Sequence, residues 1–176
     1  MKKAVFICVF ACAMFLVLSS NAQSQGDLRA SVGISAGTKA SLDKDSGDEK
    51  LGIGINAGVE YFFIDNLSIA PSYSYFLPTD LGSGVSFNSG SLNIDARYYF
   101  SEMFYGMAGY ASYSNKLSGG GATVSVNEGA FNVGAGAMIA AGDAMNINVQ
   151  LKYQSILDSD IDFNQIVAQA SVVFVF

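Results

Sequence analysis

The stretch Gln165-Ile166-Val167-Ala168-Gln169-Ala170-Ser171-Val172-Val173-Phe174-Val175-Phe176 decides the fold. Ile166, Ala168, Ala170, Val172, Phe174 and Phe176 fall on one face at a period of two, the mark of a β-strand with one apolar side. A sequence that stops on the aromatic end of such a strand is expected to use it to seal a sheet.

Working back from that strand, the same period yields seven more segments. The first sets Leu28, Ala30, Val32, Ile34 and Ala36 against Arg29, Ser31, Gly33 and Ser35. In the second, Leu51, Ile53, Ile55, Ala57, Val59 and Tyr61 oppose Gly52, Gly54, Asn56, Gly58 and Glu60. The third covers about 67–75, and the fourth runs Leu92, Ile94, Ala96, Tyr98, Phe100 against Asn93, Asp95, Arg97. A fifth, over about 103–113, is so rich in glycine and alanine that its facing is open. The sixth places Phe131, Val133, Ala135, Ala137 and Ile139 opposite Asn132, Gly134 and Gly136; the seventh places Ile147, Val149, Leu151 and Tyr153 opposite Asn146, Asn148, Gln150 and Lys152.

The apolar content of 51% is thus dispersed by alternation, and the other face is mostly Gly, Ser and Asn with few charges. A solvated sheet face usually carries more Lys, Glu and Thr, so the polar face reads as an interior and the apolar face as an exterior. A secreted sandwich or ligand-carrying barrel would point its apolar face inward. Connections after segments one, three, five and seven are long and polar (38–50, 77–91, 114–128 and 154–163), and those after two, four and six are short. Such alternation is expected of an all-β, eight-stranded antiparallel up-and-down transmembrane β-barrel with short periplasmic turns and longer external loops. Aromatic residues gather at the short-turn side, and Tyr61, Phe63, Tyr98, Phe100 and Tyr105 are expected to form an interfacial girdle there, with Phe62 and Tyr99 nearby. Tyr73, Tyr75, Phe76, Tyr113 and Tyr153 would form the opposite girdle.

Lys2 and Lys3 precede an apolar run from Ala4 to Leu18 that ends in Ser19-Ser20-Asn21-Ala22. The run is shorter than the roughly 20 residues that cross a bilayer as a helix. Residues 1–22 therefore read as a cleaved signal peptide and 23–176 as one barrel domain. Both cysteines, Cys8 and Cys12, lie in the signal, so the expected mature chain has no thiol chemistry. Removing Lys2 and Lys3 from the 9 Lys+Arg leaves 7 against 15 Asp+Glu, a formal charge of −8, which argues against a nucleic-acid partner.

With its signal segment, its Tyr61-Phe62-Phe63-Ile64-Asp65-Asn66-Leu67-Ser68 turn and its Val172, Phe174, Phe176 ending, the chain resembles the small eight-stranded outer-membrane β-barrel proteins. This group includes the OmpX-like barrels, the OmpA-like transmembrane domains and the members called "porin family". The resemblance implies residence in the cell outer membrane and contact with its lipid and lipopolysaccharide. It also implies that Val172, Phe174 and Phe176 are read by the barrel-insertion machinery.

No histidine is present, whereas barrel enzymes of this size class, as the resemblance has them, depend on one. The most usual general base is missing, so an enzyme is not expected. Nor is a cofactor: Gly52-Ile53-Gly54 and Gly134-Ala135-Gly136 lie inside strands and lack the third glycine of a dinucleotide fingerprint. The acidic runs Asp43, Asp45, Asp48, Glu49 and Asp158, Asp160, Asp162 lack the glycine and glutamate of a calcium loop, and no metal is expected there.

An eight-stranded barrel is just wide enough for side chains to fill. Arg29, Glu60, Asp95 and Arg97 all face inward on this reading and are expected to pair as one network, with Lys152 hydrated near the external mouth. The expected role is non-enzymatic: a structural or interaction protein, supporting membrane integrity or serving as an accessory subunit of a larger outer-membrane complex. Two alternatives stand beside it: a narrow-pore channel for ions or small solutes, and a surface adhesin or receptor acting through the loops.

Overall fold

A computed structural model describes residues 23–39, 50–82, 84–120, 122–157 and 164–176. The signal segment and both acidic runs lie outside them. Eight strands follow in chain order: β1 Leu28–Lys39, β2 Lys50–Ile64, β3 Leu67–Gly82, β4 Val85–Tyr99, β5 Phe104–Gly119, β6 Ala122–Gly142, β7 Met145–Ile156 and β8 Asn164–Val175. Each pairs antiparallel with its sequence neighbour, and β8 pairs with β1, so the sheet closes on itself as an up-and-down barrel. Closure removes the unpaired edges that an open sheet would expose.

The exterior is apolar. Val32, Ile34, Ile53, Ile55, Leu92, Ile94, Phe131, Val133, Val149, Leu151, Ile166 and Phe174 all stand exposed on the outer wall. Arg29, Asn56, Glu60, Asn93, Asp95, Arg97, Asn132, Asn148, Gln150, Lys152, Gln154 and Gln169 are buried within it. This inside-out arrangement suits a wall that faces hydrocarbon, where every backbone N–H and C=O must bond along the ladder.

Facing in β5, open from sequence, is settled by burial: Tyr105, Met107, Ala111 and Tyr113 point in, while Phe104 and Tyr110 point out. Pro71 interrupts β3 without breaking the barrel. The β2–β3 register is the same at Gly58↔Ser72 and at Tyr61↔Ile69, but the ladder is interrupted between them, where Pro71, which has no N–H to donate, stands; its other side stays paired with Ile94 on β4.

Two of the four expected long loops are instead mostly strand. β3 and β4 stay paired as far as Gly82↔Val85, and β5 and β6 as far as Gly119↔Ala122. Their Gly, Ser and Asn content reads as loop, yet Val124 and Val126 keep a period of two that the pairing uses. At the other end the short connections hold as expected, with Asn66 taking a left-handed φ of 64° in the turn from β2 to β3. That end is termed the floor here and the opposite end the rim.

The floor carries a strap. Gly26 N donates to Phe62 O at 2.8 Å, Asn66 N to Gln23 O at 3.1 Å, and Gln25 N to Asp65 Oδ1 at 2.8 Å. The Gln23 side chain reaches on to Glu102 O at 3.2 Å, so residues 23–27 tie the β2–β3 turn to the β4–β5 turn.

Candidate functional site

The lumen is the only place where the alternation of the sequence concentrates polar chemistry among the described residues, and it is filled in layers. Nearest the floor, Phe62, Tyr99 and Tyr105 pack as tilted rings, with centroids 5.3 Å apart for the first pair and 4.9 Å for the second. Met107, Met138 and Val173 complete this cluster.

Here the expected girdle needs correction. Tyr61, Phe63 and Tyr98 are exposed on the outer wall as expected, but Tyr105 is fully buried inside, as are Phe62 and Tyr99. Consecutive aromatics at a strand end must alternate faces, so only every second one reaches the interface. Phe100 lies in the β4–β5 turn, half-buried and stacked on Phe104 at 6.5 Å. At the rim, Tyr73 and Tyr153 face outward, whereas Phe76 and Tyr113 are buried in the lumen.

Above the aromatic floor sits Glu60. Its carboxylate accepts from Arg97 Nη1 at 3.3 Å, from Ser68 Oγ at 2.6 Å and from the Tyr99 hydroxyl at 2.9 Å. Arg97 Nη2 donates to Gln150 Oε1 at 3.1 Å, and the Tyr105 hydroxyl lies 2.7 Å from Asn148 Oδ1. Next comes Asp95, whose Oδ2 accepts from Lys152 Nζ at 3.3 Å and whose Oδ1 accepts from Asn132 at 3.0 Å. A ladder of amides continues toward the rim, with Gln154 donating to Asn132 Oδ1 at 2.8 Å and Gln165 donating to Gln154 Oε1 at 3.0 Å. Higher still, Ser89 donates to Asn115 at 2.7 Å and Asn115 to Glu128 at 3.3 Å.

The four charges expected to form one network are therefore divided. Arg97 and Glu60 pair; Asp95 turns instead to Lys152, which is buried rather than hydrated at a mouth. The cause lies in the neighbours. Asp95 is opposite Gly109 on β5 and Lys152 is opposite Gly134 on β6, so each charged side chain has a neighbour across one ladder that carries no side chain to crowd it. A Cβ on Gly109 would come within 2.4 Å of Asp95 Oδ1, and one on Gly134 within 2.3 Å of Leu151 O. Arg29 is directly opposite Glu60 in the β1–β2 register, yet its guanidinium turns to the rings of Phe62, 4.7 Å from the centroid, and Tyr99, 5.7 Å away.

The amides Asn93, Asn132, Asn148, Gln150, Gln154 and Gln169 link the charged pairs, a role not assigned to them from sequence, where four were placed on polar faces and Gln154 fell in an expected loop. Their signal was present: all lie on the polar phase of β4, β6, β7 and β8. No group of three or more His, Cys, Asp or Glu able to hold a metal occurs among the described residues.

A closed eight-stranded barrel with an apolar outer wall and a polar packed lumen defines the class. The chain belongs to the outer membrane protein beta-barrel domain family, whose model matches residues 10–174, and the cell outer membrane is where it resides. Among solved structures it is similar to Neisserial surface protein A, with a TM-score of 0.67 and 16% identity over 89% of this chain and all of that one. It is also similar to the attachment invasion locus protein Ail of Yersinia pestis (TM-score 0.61, 18% identity, 86% of this chain and 99% of that one). A third is the N-terminal barrel domain of Pseudomonas aeruginosa OprF (TM-score 0.60, 21% identity, 88% and 100%). At such identities the likeness is one of fold. No curated protein is recognisably similar to the chain in sequence.

Proposed function

We propose that this protein is a non-conducting, non-enzymatic barrel with a structural or interaction role in the outer membrane. The observation that carries this reading is the crossing of the lumen by hydrogen-bonded side chains in successive layers, from the Phe62, Tyr99, Tyr105 floor through Glu60–Arg97 and Asp95–Lys152 to Gln154 and Gln165. A conducting path would have to displace two buried ion pairs whose members are poorly replaced by water in so narrow a space.

Planar-bilayer recording tests it. Wild-type protein is expected to give no unitary openings, and Arg97→Ala, which opens the Glu60 layer, is expected to give some. Stable openings of the wild type would instead support the narrow-pore alternative. Zero conductance in Arg97→Ala would remove this layer from the barrier.

The interaction part of the reading rests on the rim. β5 and β6 continue as a paired hairpin toward Gly119↔Ala122, and Val124 and Val126 are exposed on it. Contact with a larger outer-membrane complex, with lipopolysaccharide or with a surface ligand would fall there; Ail of Yersinia pestis has been solved with a heparin analogue, sucrose octasulfate. Sizing of the native protein after mild detergent extraction, with mass spectrometry of what accompanies it, separates an independent barrel from an accessory subunit. On the same reading residues 1–22 direct export and are removed, and Val172 and Phe174 on the outward phase of β8, with the exposed Phe176 just past its end, present the signal for the insertion machinery. Replacing Phe176 with serine should then slow assembly without altering export.

A further inference from the structure

Among the described residues the fully interior charges do not balance: Arg29, Arg97 and Lys152 are buried with only Glu60 and Asp95 as fully buried carboxylates. Both carboxylates are already engaged, Glu60 by Arg97, Ser68 and Tyr99, and Asp95 by Lys152 and Asn132. Arg29 is the cation left over. It is 5% exposed, and among the described residues its Nε and Nη1 have no hydrogen-bond partner; Nε of Arg97 is in the same position. The rings of Phe62 and Tyr99 flank the Arg29 guanidinium and offer it π faces. A π face recovers only part of what a cation loses when it leaves water, and it leaves in-plane N–H donors without acceptors. A water molecule would accept those hydrogen bonds but would not neutralise the charge.

We propose that Arg29 holds a small inorganic anion, a halide such as chloride, at the floor of the lumen, bound by the in-plane donors of its guanidinium above the aromatic floor. The narrow lumen selects for size: Nε and Nη1 of Arg29 are sealed by packed side chains, and a monatomic ion displaces these far less than a phosphate or a carboxylate-bearing metabolite would. Bound there, the anion makes the buried charges sum to zero and locks the floor on which the non-conducting reading rests. It is independent of that reading, because a halide at Arg29 can be present whether or not the barrel conducts.

Two experiments on the whole folded barrel in detergent test it. In crystals grown in bromide, anomalous scattering should place a bromide ion beside the Arg29 guanidinium; a map with no peak there overturns the proposal. In solution, thermal unfolding is compared in chloride and in gluconate at equal ionic strength, which holds general screening constant. The wild-type midpoint should rise with each tenfold increase in chloride and stay flat in gluconate. Arg29→Met should abolish that difference while remaining folded. A chloride response equal in the wild type and Arg29→Met, or none in the wild type, overturns it. Should Arg29→Met not fold, Arg29→Gln and the bromide map on the wild type carry the decision.

Discussion

Lys152 Nζ lies 3.3 Å from Asp95 Oδ2, joining β7 to β4 across the lumen, with both side chains only 1% exposed. These strands are not neighbours in the ring, so the pair acts as a strut across the interior rather than as a link along the wall. Removing one end leaves the other charge buried and unpaired. Lys152→Met is expected to destabilise the barrel by about 3–5 kcal/mol, and Lys152→Met combined with Asp95→Leu by much less. Urea unfolding in lipid vesicles measures both, and equal losses in single and double variants would refute an energetically coupled pair.

The inner and outer wall can be distinguished optically, since the chain contains no tryptophan. Tyr98→Trp should be quenched strongly by lipids brominated near the headgroup, because Tyr98 faces out. Tyr105→Trp should be shielded from the same lipids, because Tyr105 faces in. Comparable quenching of the two would restore Tyr105 to the girdle.

Glycines near the charged strut differ sharply in what they tolerate. A Cβ on Gly109 would sit 2.3 Å from Ile94 O, whereas one on Gly106 would meet nothing within 4 Å. Gly109→Ala should therefore cost about 1–3 kcal/mol through forced displacement of backbone and of Asp95. Gly106→Ala should lie within about ±0.5 kcal/mol of wild type or gain slightly from a stiffer unfolded chain. Heat-modifiable mobility on gels ranks them quickly.

The turn after β2 depends on a left-handed residue. Asn66 holds φ 64° there, a conformation that costs a β-carbon about 1–2 kcal/mol unless a short polar side chain offsets it. Asn66→Gly should leave stability unchanged and Asn66→Val should lower it by about that amount, read from unfolding midpoints.

Most of the wall was legible because a period of two assigns each residue to a face without knowledge of its partners. Val32, Ile55, Ile94, Val133 and Val149 needed no structure to be placed outside. Position around and along the lumen was not legible in this way. Lys152 and Asp95 are separated by two strands, and only the stagger of the closed ring brings them to one height. Tyr105 misled for a different reason: β5 offers Gly and Ala on both phases, so the aromatic pair Phe104-Tyr105 had no polar face to orient it. The rim hairpins were hidden by composition, since Gly, Ser and Asn mark turns as readily as they line a strand that no core presses upon.

Gln169 Nε2 on β8 donates to Ser35 Oγ on β1 at 2.9 Å and lies 3.2 Å from Ser74 Oγ on β3, while its Oε1 accepts from Gln150 on β7. One amide thus spans the seam where the last strand meets the first. None of the bonds to β1 or β3 can exist in a half-built sheet, and a barrel opened at that seam loses them together. The escape route from the native state therefore begins with a concerted rupture, and resistance to unfolding should show itself as slowness, in a barrier height, more than as a difference in equilibrium populations.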